Sequence, residues 1–314
     1  MLDVALLGTG GMMPLPNRFL TSLLLRLNGR MLLIDCGEGT QVTLKQLGWG
    51  FKNIDAICFT HYHADHISGL PGMLLTIGNS GREAPLTLIG PPGLKAVYRG
   101  LRVIAPELPF EVRLLELENT VENTIDIAGF HLTTAKAEHM ITCVAYSIAV
   151  NRIGKFNVKR ALALGLPKTL WSKLQKEGEV VFGGNLYTAD MVLGDKRKGL
   201  KVTYCTDSRP VKAIAKLAQN SDLFICEGMY GENEKLDKAK EHRHMLFSEA
   251  ARLAAESGSK ELWLTHYSPA LTDPDFFIKN ARDIFPNTVT AYDRMNKTLS
   301  FCEPEESNPS NPQG

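Results

Sequence analysis

Residues 59–72, FTHYHADHISGLPG, put His61, His63, Asp65 and His66 into six positions. The apolar run at 54–60 ahead of them reads as a short strand, and Gly69-Leu-Pro-Gly72 behind them breaks the chain. Any fold that carries this stretch must end a strand at the cluster and let its side chains converge from a loop. Imidazoles and a carboxylate at that density suit a borderline cation such as zinc, which takes His nitrogen and Asp oxygen. The alternative is a polar turn that holds three histidines by coincidence. With only 8 His in 314 residues, such clustering argues for the metal.

The surrounding composition narrows the class. A chain 44% hydrophobic and 22% charged, with net charge +1, is that of a globular protein with enough length for one large domain or two ordinary ones. The balance of charge predicts no sign-driven partner for the surface as a whole. Cys36, Cys58, Cys143, Cys205, Cys226 and Cys302 are scattered without a C-x-x-C pair. Four of them, Cys36, Cys58, Cys205 and Cys226, lie in or beside apolar strand-like runs, which predicts buried free thiols and a reducing cytoplasm. The N-terminal MLDVALLGTGG has no basic segment and too short an apolar run for a signal peptide, and no window suits a transmembrane helix.

In chain order, a buried strand at 2–7 closes on Gly8-Thr-Gly-Gly11, read as a plain turn because no helical pattern follows. Strands at 21–28 and 30–34 flank Asn28-Gly29, a hairpin signal. The second runs into Asp35-Cys-Gly-Glu-Gly39, where Asp35 is a turn former or a support for the metal loop. Helices are predicted at 40–47, 71–77, 94–101, 211–219, 248–256 (with a Ser cap) and 275–284. Further strands are predicted at 85–89, 111–117, 124–127, 130–135, 144–150, 201–206, 222–226, 261–265 and 288–292. The polar segment 303–314 reads as a disordered tail. Between 151 and 201 the character changes: eleven Lys and Arg stand against four Asp and Glu, an excess larger than the net charge of the whole chain. Such an excess is either a solvated face or an arm that holds phosphates, with Lys155, Lys159 and Arg160 as candidate contacts.

Potential ligands stand at the ends of four strands: the His61–His66 cluster, His139, Asp207 and His266. Singly, each of the last three reads as a hydrogen-bonded structural residue. Jointly they matter, because His61, His63, Asp65 and His66 are too few to fill two metal spheres. With this set on view, the chain resembles the ribonuclease Z family of the metallo-β-lactamase superfamily, the tRNA 3′-end processing endonucleases. The resemblance runs from Leu7-Gly-Thr-Gly10 and Asp35-Cys-Gly-Glu38 through the His cluster, His139 with Tyr146, Asp207 and His244 with Ala250-Ala251, to Thr265-His-Tyr-Ser268 and Ala291-Tyr-Asp293. The segment from Gly154-Lys-Phe156 through Leu164-Gly-Leu-Pro167 and Trp171-Ser-Lys-Leu174 to Val192-Leu-Gly194 is similar to the family's substrate-gripping arm.

The resemblance implies an α/β fold, a four-layer αββα sandwich in one domain over 1–302, with the basic arm inserted at about 151–201. It implies two zinc ions per chain, manganese or another divalent metal being an alternative. His61, His63 and His139 would hold one ion and Asp65, His66 and His266 the other, bridged by Asp207. Asp65 would orient and deprotonate a water, and His244, kept protonated by Glu227, would neutralise phosphate charge or protonate the leaving 3′ oxygen. From the residues alone, His244 reads as a solvated residue in a charged run beside His242. The partners implied are a tRNA precursor and a second copy of the chain, since in this family the arm of one subunit serves the other's site. Two alternatives stay open: a hydrolase of the same fold acting on a small phosphodiester or other ester, and a non-catalytic RNA-binding relative. The chain also departs from the family pattern. It has Thr206-Asp207-Ser208 for Gly-Asp-Thr, Cys226-Glu-Gly-Met229 for His-Glu-Ala-Thr, His244-Met-Leu246 for His-Ser-Thr, and Lys168-Thr169 for Gly-Pro.

Overall fold

A computed structural model describes residues 1–118, 122–195 and 197–301. Cys302, Lys196 and the tail at 303–314 lie outside the described residues. The chain divides into two compact units, Met1–Val150 with Leu200–Ser300, and Asn151–Gly199 with Phe301.

In the first unit, short runs of Leu, Ile and Val bounded by Gly, Asn or Asp form two seven-stranded sheets. One consists of β1 (Leu2–Gly8), β2 (Ser22–Leu27), β3 (Arg30–Ile34), β4 (Ile54–Cys58), β5 (Leu86–Gly90), β6 (Val112–Glu116) and β16 (Asn296–Leu299). Their order is β16-β1-β2-β3-β4-β5-β6. The β2–β3 hairpin turns at Asn28 and Gly29, with φ of 50° and 81°. Two successive positive φ values define the tight turn that Asn-Gly favours, because it matches the twist of the strands. From β3 to β6 the strands run parallel, each pair joined across helical segments: α1 (Thr40–Leu47), then α2 (Ala64–Ile67) with α3 (Leu70–Asn79), then α4 (Leu94–Arg102).

The other sheet contains β7 (Thr124–Ile127), β8 (Phe130–Lys136), β9 (Val144–Arg152), β12 (Arg197–Cys205), β13 (Leu223–Glu227), β14 (Leu262–Thr265) and β15 (Thr288–Thr290), in the order β15-β14-β13-β12-β9-β8-β7. β12 to β15 are parallel. The central strands of each sheet are buried on both faces, which is why they read as continuous apolar runs. Leu24, Leu33, Ile57 and Leu88 pack against α1, α3 and α4, while Leu23, Leu32, Ala56 and Ile89 on the opposite face are equally buried. In the second sheet Cys205, Phe224, Cys226 and Leu264 pack against α8 (Lys212–Leu217), α10 (Phe247–Ser257) and α11 (Lys279–Arg282). Tyr204, Ile225 and Trp263 are buried on the other side. The result is helix, sheet, sheet, helix. Tyr146 on β9 ties the sheets together by donating its hydroxyl to the carbonyl of Phe59, just past β4, at 2.8 Å.

Two sequence expectations shift. The helix expected to start under a Ser248 cap begins at Phe247; the side chain of Glu249 takes the N–H of Leu246 at 3.0 Å, and Ser248 bonds Asn233 instead. The segment at 275–284 is a 3₁₀ turn, Pro274–Phe277, followed by α11, as Pro274 opens the segment with fixed φ. The charged run at 235–244 contains α9 (Leu236–His242), whose Ala239 and Leu236 pack in a small cluster with Met229, Tyr230 and Leu246.

The second unit has its own small core. α5 (Val158–Ala163) is capped by Asn157, whose Oδ1 accepts the N–H of Arg160. α6 (Lys168–Glu177), the hairpin of β10 (Glu179–Phe182) and β11 (Asn185–Thr188), and α7 (Ala189–Val192) follow. Ala161, Leu166, Leu174, Val180 and Val192 are buried together, with Phe156, Trp171 and Tyr187 packed on them.

Candidate metal centre

The chemistry-bearing residues stand where strands end. Asp35 follows β3, His61 lies three residues past β4, Asp207 two past β12 and His266 one past β14, while Glu227 closes β13. Three of these, Asp35, Asp207 and His266, adopt left-handed backbone with φ of 60°, 47° and 57°. That conformation is costly for a side chain with Cβ, and its concentration at one cleft marks a site where geometry is held against local preference. Gly11 provides the room: a Cβ there would lie 2.7 Å from the His266 ring. The glycines at 8–11 therefore end in a seat for an imidazole.

All seven expected residues come together in two sets. His61 Nε2 and His139 Nε2 lie 3.0 and 3.2 Å from His63 Nδ1, and Asp207 Oδ1 lies 3.8 and 3.7 Å from His61 and His139. In the other set, His66 Nε2 and His266 Nε2 are 3.2 Å apart, and Asp65 Oδ2 lies 3.6 and 3.5 Å from them. Asp207 Oδ2 reaches that pair at 3.1 and 3.2 Å. One carboxylate thus gives one oxygen to each set.

The protons are fixed from behind. Asp35, fully buried, accepts the N–H of Thr60 at 2.8 Å and the Thr60 hydroxyl at 2.9 Å. His66 Nδ1 lies 2.8 Å from the same carboxylate, and His61 Nδ1 lies 3.0 Å from Thr60 Oγ1. A carboxylate only accepts, so the hydroxyl donates to it and takes the His61 Nδ1 proton in turn. His139 Nδ1 has the carbonyl of Arg243 at 3.4 Å. In the neutral rings of His61 and His139 Nε2 is then a lone pair aimed into the cleft, the tautomer that ligates a metal, and in His66 the Nδ1 contact with Asp35 leaves Nε2 as the atom a metal would take in place of a proton. Ring nitrogens crowded to 3.0–3.2 Å, with Asp207 Oδ2 buried and unpartnered among the described residues, form a donor set that a cation would satisfy. The cluster fits metal, and each set is a group able to hold an ion.

Titration follows from the same geometry. Burial pushes His61, His63 and His139 below the ordinary imidazole value, toward the neutral, ligating form. Burial would also depress His66, but Asp207 and Asp35 override it and hold His66 well above. Asp65 and Asp207 are held well below the carboxylate range despite burial; His266 and His66 favour their charged forms. His244 is 9% exposed, with Nδ1 3.1 Å from Glu227 Oε2. Burial lowers it, and the Glu227 charge raises it further than that, to about 9. Glu227 itself is fully buried and also accepts the N–H groups of Ser208 and Met245 at 2.5 and 3.1 Å.

Of the departures from the family pattern, Thr206 and Ser208 flank Asp207, whereas four others pack in apolar clusters. Cys226 and Met245 pack on the helix side of the second sheet, and Met229 and Leu246 in the α9 cluster. Glu227 and His244 keep their places between them. Sequence reasoning missed Arg209 and Arg243, which lock the loop of His244. Arg209 pairs with Glu249 and donates to the His244 carbonyl, and Arg243, at φ 56°, donates to the His139 carbonyl at 2.8 Å. No local pattern signals either contact. In the second unit Lys155, Lys159 and Arg160 are exposed, and the Arg160 guanidinium also bonds the Leu193 carbonyl at 2.5 Å.

Residues 2–158 match the sequence model of a family described as Anti-Pycsar protein Apyc1. Over the longer span the chain is 58% identical to ribonuclease Z of Lachnospira eligens, covering 96% of this chain and 99% of that protein. It is 53% identical to ribonuclease Z of Clostridium acetobutylicum with the same coverage. The chain belongs to the ribonuclease Z family. Among solved structures, the short form of human tRNase Z superposes with a TM-score of 0.67 at 25% identity, over 95% of this chain and all of that one. The metallo-β-lactamase fold protein YhfI of Bacillus subtilis gives 0.68 at 20% identity over 94% and 98%, a likeness of fold. The ribonuclease Z family is one of metal-dependent hydrolases, and the αββα layers and the His/Asp cluster are those of a member.

Proposed function

We propose that this chain is a metal-dependent endoribonuclease that cuts tRNA precursors at the 3′ side of the acceptor stem, using two zinc ions. The observation that carries the reading is Asp207, whose two oxygens face two separate sets of imidazoles. His61, His63 and His139 would hold one ion and Asp65, His66 and His266 the other, with Asp207 between the two sets. The His-and-carboxylate donor set favours zinc, with manganese an alternative. When bound, such a pair supplies an acidified water and positive charge for the phosphodiester oxygens. Asp65 is anchored through Oδ2 by the N–H of Met12 at 2.7 Å, and it would orient the water and take its proton. As the P–O bond to the 3′ oxygen breaks, His244 gives that oxygen its proton. Glu227 positions His244 and keeps it charged. The basic second unit would grip tRNA through its excess of Lys and Arg. Its exposed Leu162, Val181 and Leu186 offer apolar surface to a second copy of the chain, in keeping with a homodimer. Five described cysteines are buried free thiols, and no helix among the described residues is long and apolar enough to cross a membrane, both compatible with a cytoplasmic enzyme.

The test sets a defined pre-tRNA beside bis(p-nitrophenyl) phosphate, with metal analysis of the same preparation. Cleavage of the precursor at the acceptor stem, loss on chelation, return with zinc or manganese and about two ions per chain are expected. Turnover of the small diester alone would replace RNA with a small substrate. Binding of RNA without cleavage of either compound, with metal supplied, would make the chain a non-catalytic relative.

His244 gives a pH signature. An acid is active below its pKa and loses function as pH rises through it, so the alkaline limb of kcat reports His244. Glu227→Gln removes the charge that raises it while burial still depresses it, so the limb should move to lower pH. A limb that stays in place would remove His244 as the acid.

A further inference from the structure

The cleft is a cavity of about 330 Å³ whose mouth carries groups the metal chemistry does not use. Lys238 and His242, four residues apart on one face of α9, both line it and are both exposed. Other lysines nearby have carboxylate partners: Lys235 pairs with Glu232 at 2.6 Å and Lys240 with Asp237 at 3.9 Å. Lys238 has no carboxylate within ion-pair distance among the described residues. Its ammonium instead stands 5.7 Å from the centre of the Tyr230 ring, at the buried edge of the same cavity. An aromatic face steadies a cation without neutralising it, which leaves the charge for a ligand.

The apolar lining is equally out of place. Met12 and Met140 line the cavity while remaining 69% and 62% exposed. Met12 stands in left-handed backbone at φ 69°, held there by its N–H bond to Asp65. Large exposed apolar side chains beside a catalytic cleft mark a contact surface. Methionine in particular adapts to differently shaped flat partners.

We infer that Lys238 and His242 form a subsite for the phosphate next to the scissile one, with Met12 and Met140 as the surface on which the intervening nucleotide lies. The inference rests on the endoribonuclease reading, because a substrate with a single phosphodiester has nothing to place there. The lysine contacts the phosphate as a point charge, and the methionine surface accepts any base, so the subsite adds affinity with little sequence preference.

The experiment measures kcat/KM of the zinc-loaded full chain on a defined pre-tRNA and on bis(p-nitrophenyl) phosphate, across a salt series, for wild type, Lys238→Ala and Lys238→Arg. On the precursor, Lys238→Ala should lose about fivefold more than on the small diester, the size of one solvent-exposed ion pair. Its log–log salt slope should flatten by about 0.7, the contribution of one phosphate contact to a single strand. Lys238→Arg should restore both. Equal losses on the two substrates, or an unchanged salt slope, would overturn the subsite while leaving the endoribonuclease intact. A wild type that turns over the diester and leaves the precursor whole would overturn the endoribonuclease reading and the subsite with it.

Discussion

Asp65→Ala is expected to lower kcat on pre-tRNA by at least about a thousandfold while leaving the fold in place. A general base alone contributes on the order of 10²- to 10⁴-fold, and here the same carboxylate also faces His66 and His266 at ligand distance. The fold should survive because Asp65 holds up little else. Its hydrogen bond from Met12 is on an exposed loop, and its neighbours in α2 are anchored by Ile67, which is buried in the first core. Asp65→Asn separates the two roles. It keeps an oxygen for the metal but cannot accept a proton, so it should retain metal better than Asp65→Ala while remaining nearly as slow. Unfolding is read by circular dichroism and metal by elemental analysis on the same sample. A near-normal rate in either variant would eliminate Asp65 as the base.

The density of the His61–His66 cluster made half of this site legible in the sequence, since little else explains three imidazoles in six positions. The other half was readable only as strand ends. What turns His266 and Asp207 from edge residues into ligands is left-handed backbone at non-glycine positions, and no propensity signals it, because tertiary packing imposes it. Asp35 shows the same limit. As a residue between apolar strand and glycine it reads as a turn former or a support; only the fold places it at once behind Thr60, with His61 beyond, and behind His66. The strands with Leu and Ile runs were visible, and β16 was not. Its NKTL sequence is exposed at three of four positions on an edge and pairs through backbone to β1, so neither alternation nor burial marks it. The internal core of the basic unit was hidden for a related reason: its few apolar residues are spread among the charges that dominate its composition.

That basic unit gives the second large effect. Replacing residues 155–193 by a short linker should reduce kcat/KM on pre-tRNA by about a hundredfold or more while bis(p-nitrophenyl) phosphate is still hydrolysed. The chain enters and leaves the unit at one point: the Gly194 N–H donates to the Lys155 carbonyl at 2.8 Å, and a Cβ on Gly154 would lie 2.1 Å from the Gly194 carbonyl oxygen. Two backbones that close leave ends a short linker can join without strain. The loss should be electrostatic in origin. Counterion release makes each phosphate contact steepen the salt dependence, so wild-type cleavage should fall with ionic strength more sharply than cleavage by the deleted chain. Lys155, Lys159 and Arg160 do not weigh equally in this. Arg160 already donates to Leu193, so replacing it costs local structure as well as charge, whereas Lys159→Ala on the exposed face of α5 reads charge more cleanly. Unimpaired pre-tRNA cleavage by the deleted chain, or a salt slope equal to that of wild type, would show that the basic unit does not grip the substrate.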